Sequence, residues 1–206
     1  MPGYPIELDL RGRRVLVVGL GRVGTRKASG LVEAGAHVVG VDPRPHVAIP
    51  GVEHRPEAFR PGHLDGMSLA FAAATPEVNR EVVELAKRLG IWVNAASDPE
   101  QGDFLVPASW RQGLVTLAVS TSGGSPALAA TLRDRAATAL TNAPILADLL
   151  AEIRPTVLER IADPEARRRL LSDWGGGRWL DVLDREGPEA VRAALRASLD
   201  GMGPVS

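Results

Sequence analysis

Gly19, Gly21 and Gly24 form a complete G-x-G-x-x-G directly after the apolar run Val15–Val18. That spacing lets a strand turn tightly into a helix, lets backbone approach a pyrophosphate, and lets the helix pack close on the strand. Arg22, Val23 and Gly24 would open the helix and turn their backbone N–H groups toward phosphate oxygens. Asp42 ends the next apolar run, about 20 residues further on, where a carboxylate can accept from the ribose hydroxyls of an adenosine. A carboxylate there repels a ribose 2′-phosphate and so favours NAD over NADP. Arg44, two residues later, is either a solvated loop residue or a group able to receive that phosphate.

A second constellation, Ser120-Thr121-Ser122-Gly123-Gly124-Ser125-Pro126, packs four hydroxyls and two adjacent glycines ahead of a helix. Ser125 suits an N-cap and Pro126 the first helical turn, so one reading is a well-made helix start. The other is an anion cradle, in which backbone N–H groups, hydroxyls and the helix dipole receive carboxylates or phosphates. The doubled glycine favours the cradle, because a cap needs one residue whereas a cradle needs several without side chains. A polar turn follows Asn94, and whatever proton chemistry occurs must use a carboxylate such as Asp98 or Asp103, a hydroxyl, or one of the early histidines; Asp98 before Pro99 reads equally well as an ordinary turn residue.

The absences narrow the chemistry. The chain of 206 residues has no cysteine, one tyrosine (Tyr4), two lysines (Lys27 and Lys87), and four histidines (His37, His46, His54 and His63), all in its first third. Disulfides, thiolate metal sites, thiol nucleophiles, a Tyr-x-x-x-Lys pair and a late catalytic histidine are thereby excluded. A hydrophobic content of 45% at a net charge of −1 is that of an ordinary globule and suggests no nucleic-acid partner. Neither a secretory leader nor an apolar run of membrane-spanning length is visible, so a cytoplasmic location without membrane attachment is the default expectation.

The elements that must position these residues follow from periodicity. Strands are expected at residues 13–18, 37–42, 51–56, 69–74 and 91–94, with helices at 22–34 and 76–89. The first helix turns Val23, Ala28, Leu31 and Val32 inward, and Thr75 caps the second, which buries Val78, Val82, Val83, Leu85 and Ala86. Residues 43–50 read as a proline-rich loop. This alternation predicts an α/β fold: a Rossmann-type parallel sheet whose ligands bind at the carboxyl ends of the strands. After residue 94 the rhythm changes to strands at 104–107 and 114–119, parted by turn residues around Arg111, then a helix at 127–140. From Ala143 onward only helices are expected, broken near Pro155, Pro164, Gly175–Gly177 and Gly187-Pro188. The domains are therefore a nucleotide-binding domain (1–112), a small α+β dimerisation region (113–142) and a helical C-terminal domain (143–206).

Five motifs in order are similar to the precorrin-2 dehydrogenase family, the N-terminal module of siroheme synthases. They are Tyr4-Pro-Ile-x-Leu-x-Leu, the glycine run through Val23 to Arg26-Lys27, Asn94-x-x-x-Asp-Pro-Glu, Asp103-Phe-x-x-Pro107, and Val119-Ser-Thr-Ser-Gly-Gly-Ser-Pro-Ala-Leu-Ala129. The resemblance covers residues 3–140. It implies NAD-dependent oxidation of precorrin-2 to sirohydrochlorin in siroheme synthesis by a homodimer whose central strands and helix interlock. It extends the cofactor set of Gly19, Gly21, Arg22, Val23, Gly24 and Asp42 to Thr75 and Asn94. It also assigns Ser120, Ser122, Gly123, Gly124 and Ser125 to the tetrapyrrole, whose eight carboxylates need many donors; Arg133 and Arg135 could supply more.

Two departures stand out. The family commonly carries alanine at the position of Gly24, an exchange expected to be harmless. Where the family keeps its catalytic aspartate this chain has Ser97, with a carboxylate one residue later at Asp98. A serine hydroxyl is too weakly basic to act as an unassisted general base, so either Asp98 takes the role or the oxidation needs no strong base. Metal insertion, which some members of the family add, is left open by this loss, and no metal ligand is identified. The rival reading is a non-enzymatic NAD-sensing regulatory domain, which would share the glycine turn and Asp42 but have no use for Ser122–Ser125.

Overall fold

A computed structural model describes residues 3–44 and 48–201. His46 and the middle of the loop expected at 43–50 lie outside the described residues. The chain divides into two compact units: residues to Val106 together with Ser122–Gly124, and Pro107–Thr121 together with Ser125 onward.

The first unit is a five-stranded parallel sheet. Its strands are β1 (Arg14–Val18), β2 (His37–Val41), β3 (Val52–Arg55), β4 (Leu69–Ala72) and β5 (Trp92–Ala95), in the order β3-β2-β1-β4-β5. Helix α1 (Arg22–Glu33) follows β1 and α2 (Pro76–Arg88) follows β4. The inner strands β1, β2 and β4 are apolar almost throughout because both faces are covered, whereas the edge strand β3 carries Glu53, His54 and Arg55. Val15, Val17, Val38, Leu69 and Phe71 point to the side of α1, where Ala28 and Leu31 meet them. Leu16, Val18, Val39, Ala70, Ala72, Val93 and Ala95 point to the side of α2, where Val82, Val83 and Ala86 meet them. Val17 of the central strand faces Gly40 on one side and Phe71 on the other, and Phe71 faces Asn94.

Two expectations about these helices change. Val23 is exposed; the buried residues of α1 are Gly24, Ala28 and Leu31, spaced i, i+4 and i+7. On α2 the buried positions are Asn79, Val82, Val83 and Ala86, while Val78 and Leu85 pack against the core from its margin.

The second unit begins with an antiparallel hairpin, β6 (Ala108–Gln112) and β7 (Val115–Val119), closed by Gly113 and Leu114. The strand expected at 104–107 is absent. Pro107 has no N–H to contribute, and the Phe104 carbonyl is taken by the Asn94 side chain at 2.9 Å. Arg111 and Gln112, read as turn residues, lie within β6. That strand, grouped by sequence with residues 1–112, therefore belongs with β7. Helix α3 (Pro126–Ala139) follows with Ala129 as its single fully buried residue, leaving Leu128 and Leu132 exposed.

Helices α4 (Ala143–Arg160), α5 (Pro164–Trp174), α6 (Arg178–Glu186) and α7 (Pro188–Asp200) share one core, which includes Leu149, Val157, Trp174, Leu183 and Leu195. Pro155 does not break α4, contrary to expectation. It is exposed, as is Ala151, the residue whose carbonyl loses a donor, so water can serve that carbonyl while buried Ile153 and Val157 hold the helix on both sides. Among the described residues no helix is long and apolar enough to cross a membrane.

Candidate functional site

The glycine turn is built by close approach. Gly19 has φ +89°, and a Cβ there would lie 2.5 Å from the Ala73 carbonyl oxygen. A Cβ on Gly24 would lie 1.8 Å from the Gly19 carbonyl oxygen, so this turn has no room for the family's alanine unless backbone moves. Gly21 differs from both: a Cβ there would meet nothing nearer than the Arg44 guanidinium at 3.8 Å. Its bareness has no cause in the packing of the protein itself. A pyrophosphate lying on the turn is such a cause. No side chain caps the N-terminus of α1 and no acid stands in its first turn, which leaves the N–H groups of Arg22, Val23 and Gly24 oriented toward an anion. The residues present thus fit a dinucleotide.

Asp42 lies just past β2, only 3% exposed. Its Oδ2 accepts from the Leu20 N–H at 2.8 Å, which ties the acid to the turn. Arg44 closes over it, donating from its backbone N–H and Nε to Oδ1 and from Nη2 to Oδ2. The carboxylate beside it raises the guanidinium pKa. Arg44 is therefore a partner of Asp42 rather than a merely solvated loop residue.

At the ends of β4 and β5 a buried amide joins two loops. Asn79, 4% exposed, accepts from the Ala74 N–H through Oδ1 at 2.8 Å and donates through Nδ2 to the Ser97 hydroxyl at 2.9 Å. Thr75 stands at the N-cap of α2 without a capping bond from its side chain. The Glu77 carboxyl serves instead, held below the usual carboxylate range by its own backbone N–H and by the Thr75 hydroxyl. Asn94 is buried beside Phe71 on the opposite face of the sheet; its Nδ2 donates to the Phe104 carbonyl and its Oδ1 has no partner among the described residues.

The two carboxylate candidates are unlike. Asp98 is exposed and accepts from the Gln101 side chain at 2.6 Å. Asp103 accepts from the Val93 N–H at 2.9 Å and returns its own N–H to the Val93 carbonyl, so it pins the loop to β5. Asn79 was missed by sequence reasoning. The signal was present: residues 79, 82, 83 and 86 form one buried stripe, and an amide within such a stripe must have partners.

In the hydroxyl-rich segment, Ser125 caps α3 by accepting from the Leu128 N–H at 3.3 Å. Thr121 accepts from the Ser125 N–H and donates to its carbonyl, both at 3.0 Å, so it shapes the loop. Ser122 and Gly123 both have positive φ, +51° and +85°, so the segment turns tightly here. Ser120, Ser122, Gly123 and Gly124 are exposed. Arg133 is engaged by Asp134 and, with Arg135, stands about two helical turns along α3 from the cradle. Among the described residues no group of three His, Asp or Glu side chains is placed to hold a metal ion.

An NAD(P)-binding family model matches residues 6–108, and the model of the sirohaem synthase dimerisation region matches residues 145–199, the span of α4–α7. Siroheme synthase of Gluconobacter oxydans is 34% identical over 209 residues, covering 96% of this chain and 42% of that protein. Siroheme synthase of Methylobacillus flagellatus is 36% identical over 211 residues, covering 98% of this chain and 45% of that protein. The chain thus spans less than half the length of these relatives. The solved structure of SirC, a precorrin-2 dehydrogenase, shares the fold, with a TM-score of 0.74 at 22% identity over 97% of this chain and 100% of the other.

Proposed function

Because the chain belongs to the family of precorrin-2 dehydrogenases and siroheme synthase N-terminal modules, we propose that it oxidises precorrin-2 to sirohydrochlorin with NAD as acceptor. The bare Gly21 beside the uncapped α1, with the buried Asp42 tied to the same turn, is the observation that carries this reading. When bound, the nicotinamide accepts a hydride. Arg22, Val23 and Gly24 hold the pyrophosphate through their backbone N–H groups, and Asp42 accepts from the adenosine ribose once the Arg44 guanidinium moves aside. A buried carboxylate at that point disfavours a 2′-phosphate, hence NAD rather than NADP.

Ser120, Ser122, Gly123, Gly124 and Ser125 orient the tetrapyrrole through its carboxylates. The proton that accompanies hydride loss passes to Asp98, which is exposed and can hand it to water. The protein works as a cytoplasmic homodimer. The exposed Leu128 and Leu132 of α3, with β7 half-covered at best, supply the apolar surface for a second copy.

Anaerobic mixing of the protein with precorrin-2 and NAD should yield NADH fluorescence together with the sirohydrochlorin spectrum. NADH formation no faster than in the absence of protein would reject the assignment.

A further inference from the structure

We propose that Asn79 is a positioning residue that sets the Ser97 hydroxyl as a hydrogen-bond donor to the carboxamide oxygen of the bound nicotinamide. This rests on the dinucleotide reading above and extends it to residues with no assigned part in it.

The orientation of the Asn79 amide is fixed by the backbone. The Ala74 N–H, 2.8 Å from one end, can only donate, so that end is the carbonyl oxygen Oδ1. The other end is then Nδ2, which donates to the Ala74 carbonyl at 3.3 Å and to the Ser97 Oγ at 2.9 Å. Ser97 therefore receives a hydrogen bond from inside the protein, and its own proton has no acceptor among the described residues. Its side chain is exposed at the carboxyl edge of the sheet, one loop from Ala74. A hydroxyl held in this way has its proton free to turn outward as a donor.

The ligand class follows from place and polarity. In a sheet ordered β3-β2-β1-β4-β5 the two mononucleotide halves lie on either side of β1, and the Asp42 side takes the adenosine. Ser97 follows β5 on the other side, where the nicotinamide half must lie. Of the neutral acceptors in this half, the ribose hydroxyls and the carboxamide oxygen, only the carboxamide lies on the nicotinamide ring itself, and ADP-ribose lacks it. Burying Asn79 in the apolar stripe of α2 holds the donor in one orientation before anything binds.

Calorimetric titration of NAD and of ADP-ribose, which lacks the nicotinamide, tests the assignment. Ser97→Ala should weaken NAD by roughly 3–10-fold, the worth of one neutral hydrogen bond, and leave ADP-ribose unchanged; Ser97→Thr, which keeps the hydroxyl, should restore NAD. Asn79→Asp turns the inner donor into an acceptor, so Ser97 must donate inward, and NAD should weaken to the level of Ser97→Ala with no further loss in the double variant. If Asn79→Asp fails to fold, as loss of ADP-ribose binding would reveal, the Ser97 pair alone decides. Weakening of both ligands alike by Ser97→Ala, or of neither, overturns the proposal, as do an Asn79→Asp variant that keeps both affinities and a loss confined to tetrapyrrole binding. An unaltered protein that binds neither ligand overturns the dinucleotide reading itself.

Discussion

The Asp42 carboxylate accepts the Leu20 backbone N–H at 2.8 Å, which makes the acid after β2 a brace for the glycine turn, beside the ribose contact proposed for it. Asp42→Asn keeps an oxygen for that N–H and removes the charge. It should weaken NAD binding by roughly 10-fold or more, the worth of a charge-assisted hydrogen bond, and bring NAD and NADP affinities together. Calorimetry with both nucleotides decides; an unchanged ratio would leave the carboxylate with the bracing role alone.

Gly24→Ala brings a methyl group to 1.8 Å from the Gly19 carbonyl oxygen, and backbone has to move. The expected cost is about 1–3 kcal/mol, the range for overpacking, with weaker NAD binding because the turn opens. A denaturant midpoint equal to that of the unaltered protein would mean that the turn relaxes freely, as it must in relatives with alanine there.

Lys27 lies half-buried with its ammonium 5.3 Å from the centroid of the Phe71 ring, and no carboxylate among the described residues pairs with it. Burial, and then the charge of Arg26, lower its pKa from the ordinary 10.5. The unfolded chain therefore binds more protons between the lowered value and 10.5, and stability due to this residue rises with pH across that window. Lys27→Met should raise the melting temperature at pH 7 to 8, with a gain that shrinks as pH rises toward 10.5 and is constant above it. A gain independent of pH would assign the effect to packing instead.

Ser122→Ala and Ser125→Ala should weaken precorrin-2 binding and spare NAD. Ser125→Ala also removes the cap of α3, worth about 1 kcal/mol, so its melting temperature should fall while that of Ser122→Ala holds. Loss of NAD affinity in either variant would move the segment to the cofactor site.

Asp98→Asn should cut turnover by roughly 10²–10⁴-fold with NAD binding intact, the usual range for a positioned general base. Ser97→Asp would put a carboxylate where the Asn79 amide already offers a donor. Iron or cobalt insertion into sirohydrochlorin should then rise above that of the unaltered protein. Insertion well above background before the change would show that pyrrole protons leave by another group.

The parallel sheet was legible because β1, β2 and β4 carry apolar runs punctuated by Gly and Thr-Pro, and both covered faces demand that composition. The glycine turn was legible for a similar reason, since its spacing is dictated by close contacts, here between Gly24 and Gly19. The hairpin was harder. Ser109 and Arg111 of β6 are exposed and alternate with half-covered neighbours, so the strand has no apolar signature, whereas Phe104–Val106 has one and forms none. Asn79 escaped for the opposite reason: one polar residue within an apolar stripe reads as noise until its partners, 5 and 18 residues away, come together in space. Pro155 misled because its effect depends on whether the orphaned carbonyl meets water, which local sequence does not encode.

The route of the backbone between the two units bears on inheritance. The chain leaves the first unit after Val106, comes back for Ser122–Gly124, and departs again at Ser125. A recombination junction drawn after the last parallel strand would strip the nucleotide-binding fold of that returning loop, and one drawn after Gly124 would deprive the second unit of its hairpin. Neither half can therefore be transplanted whole by a single crossover.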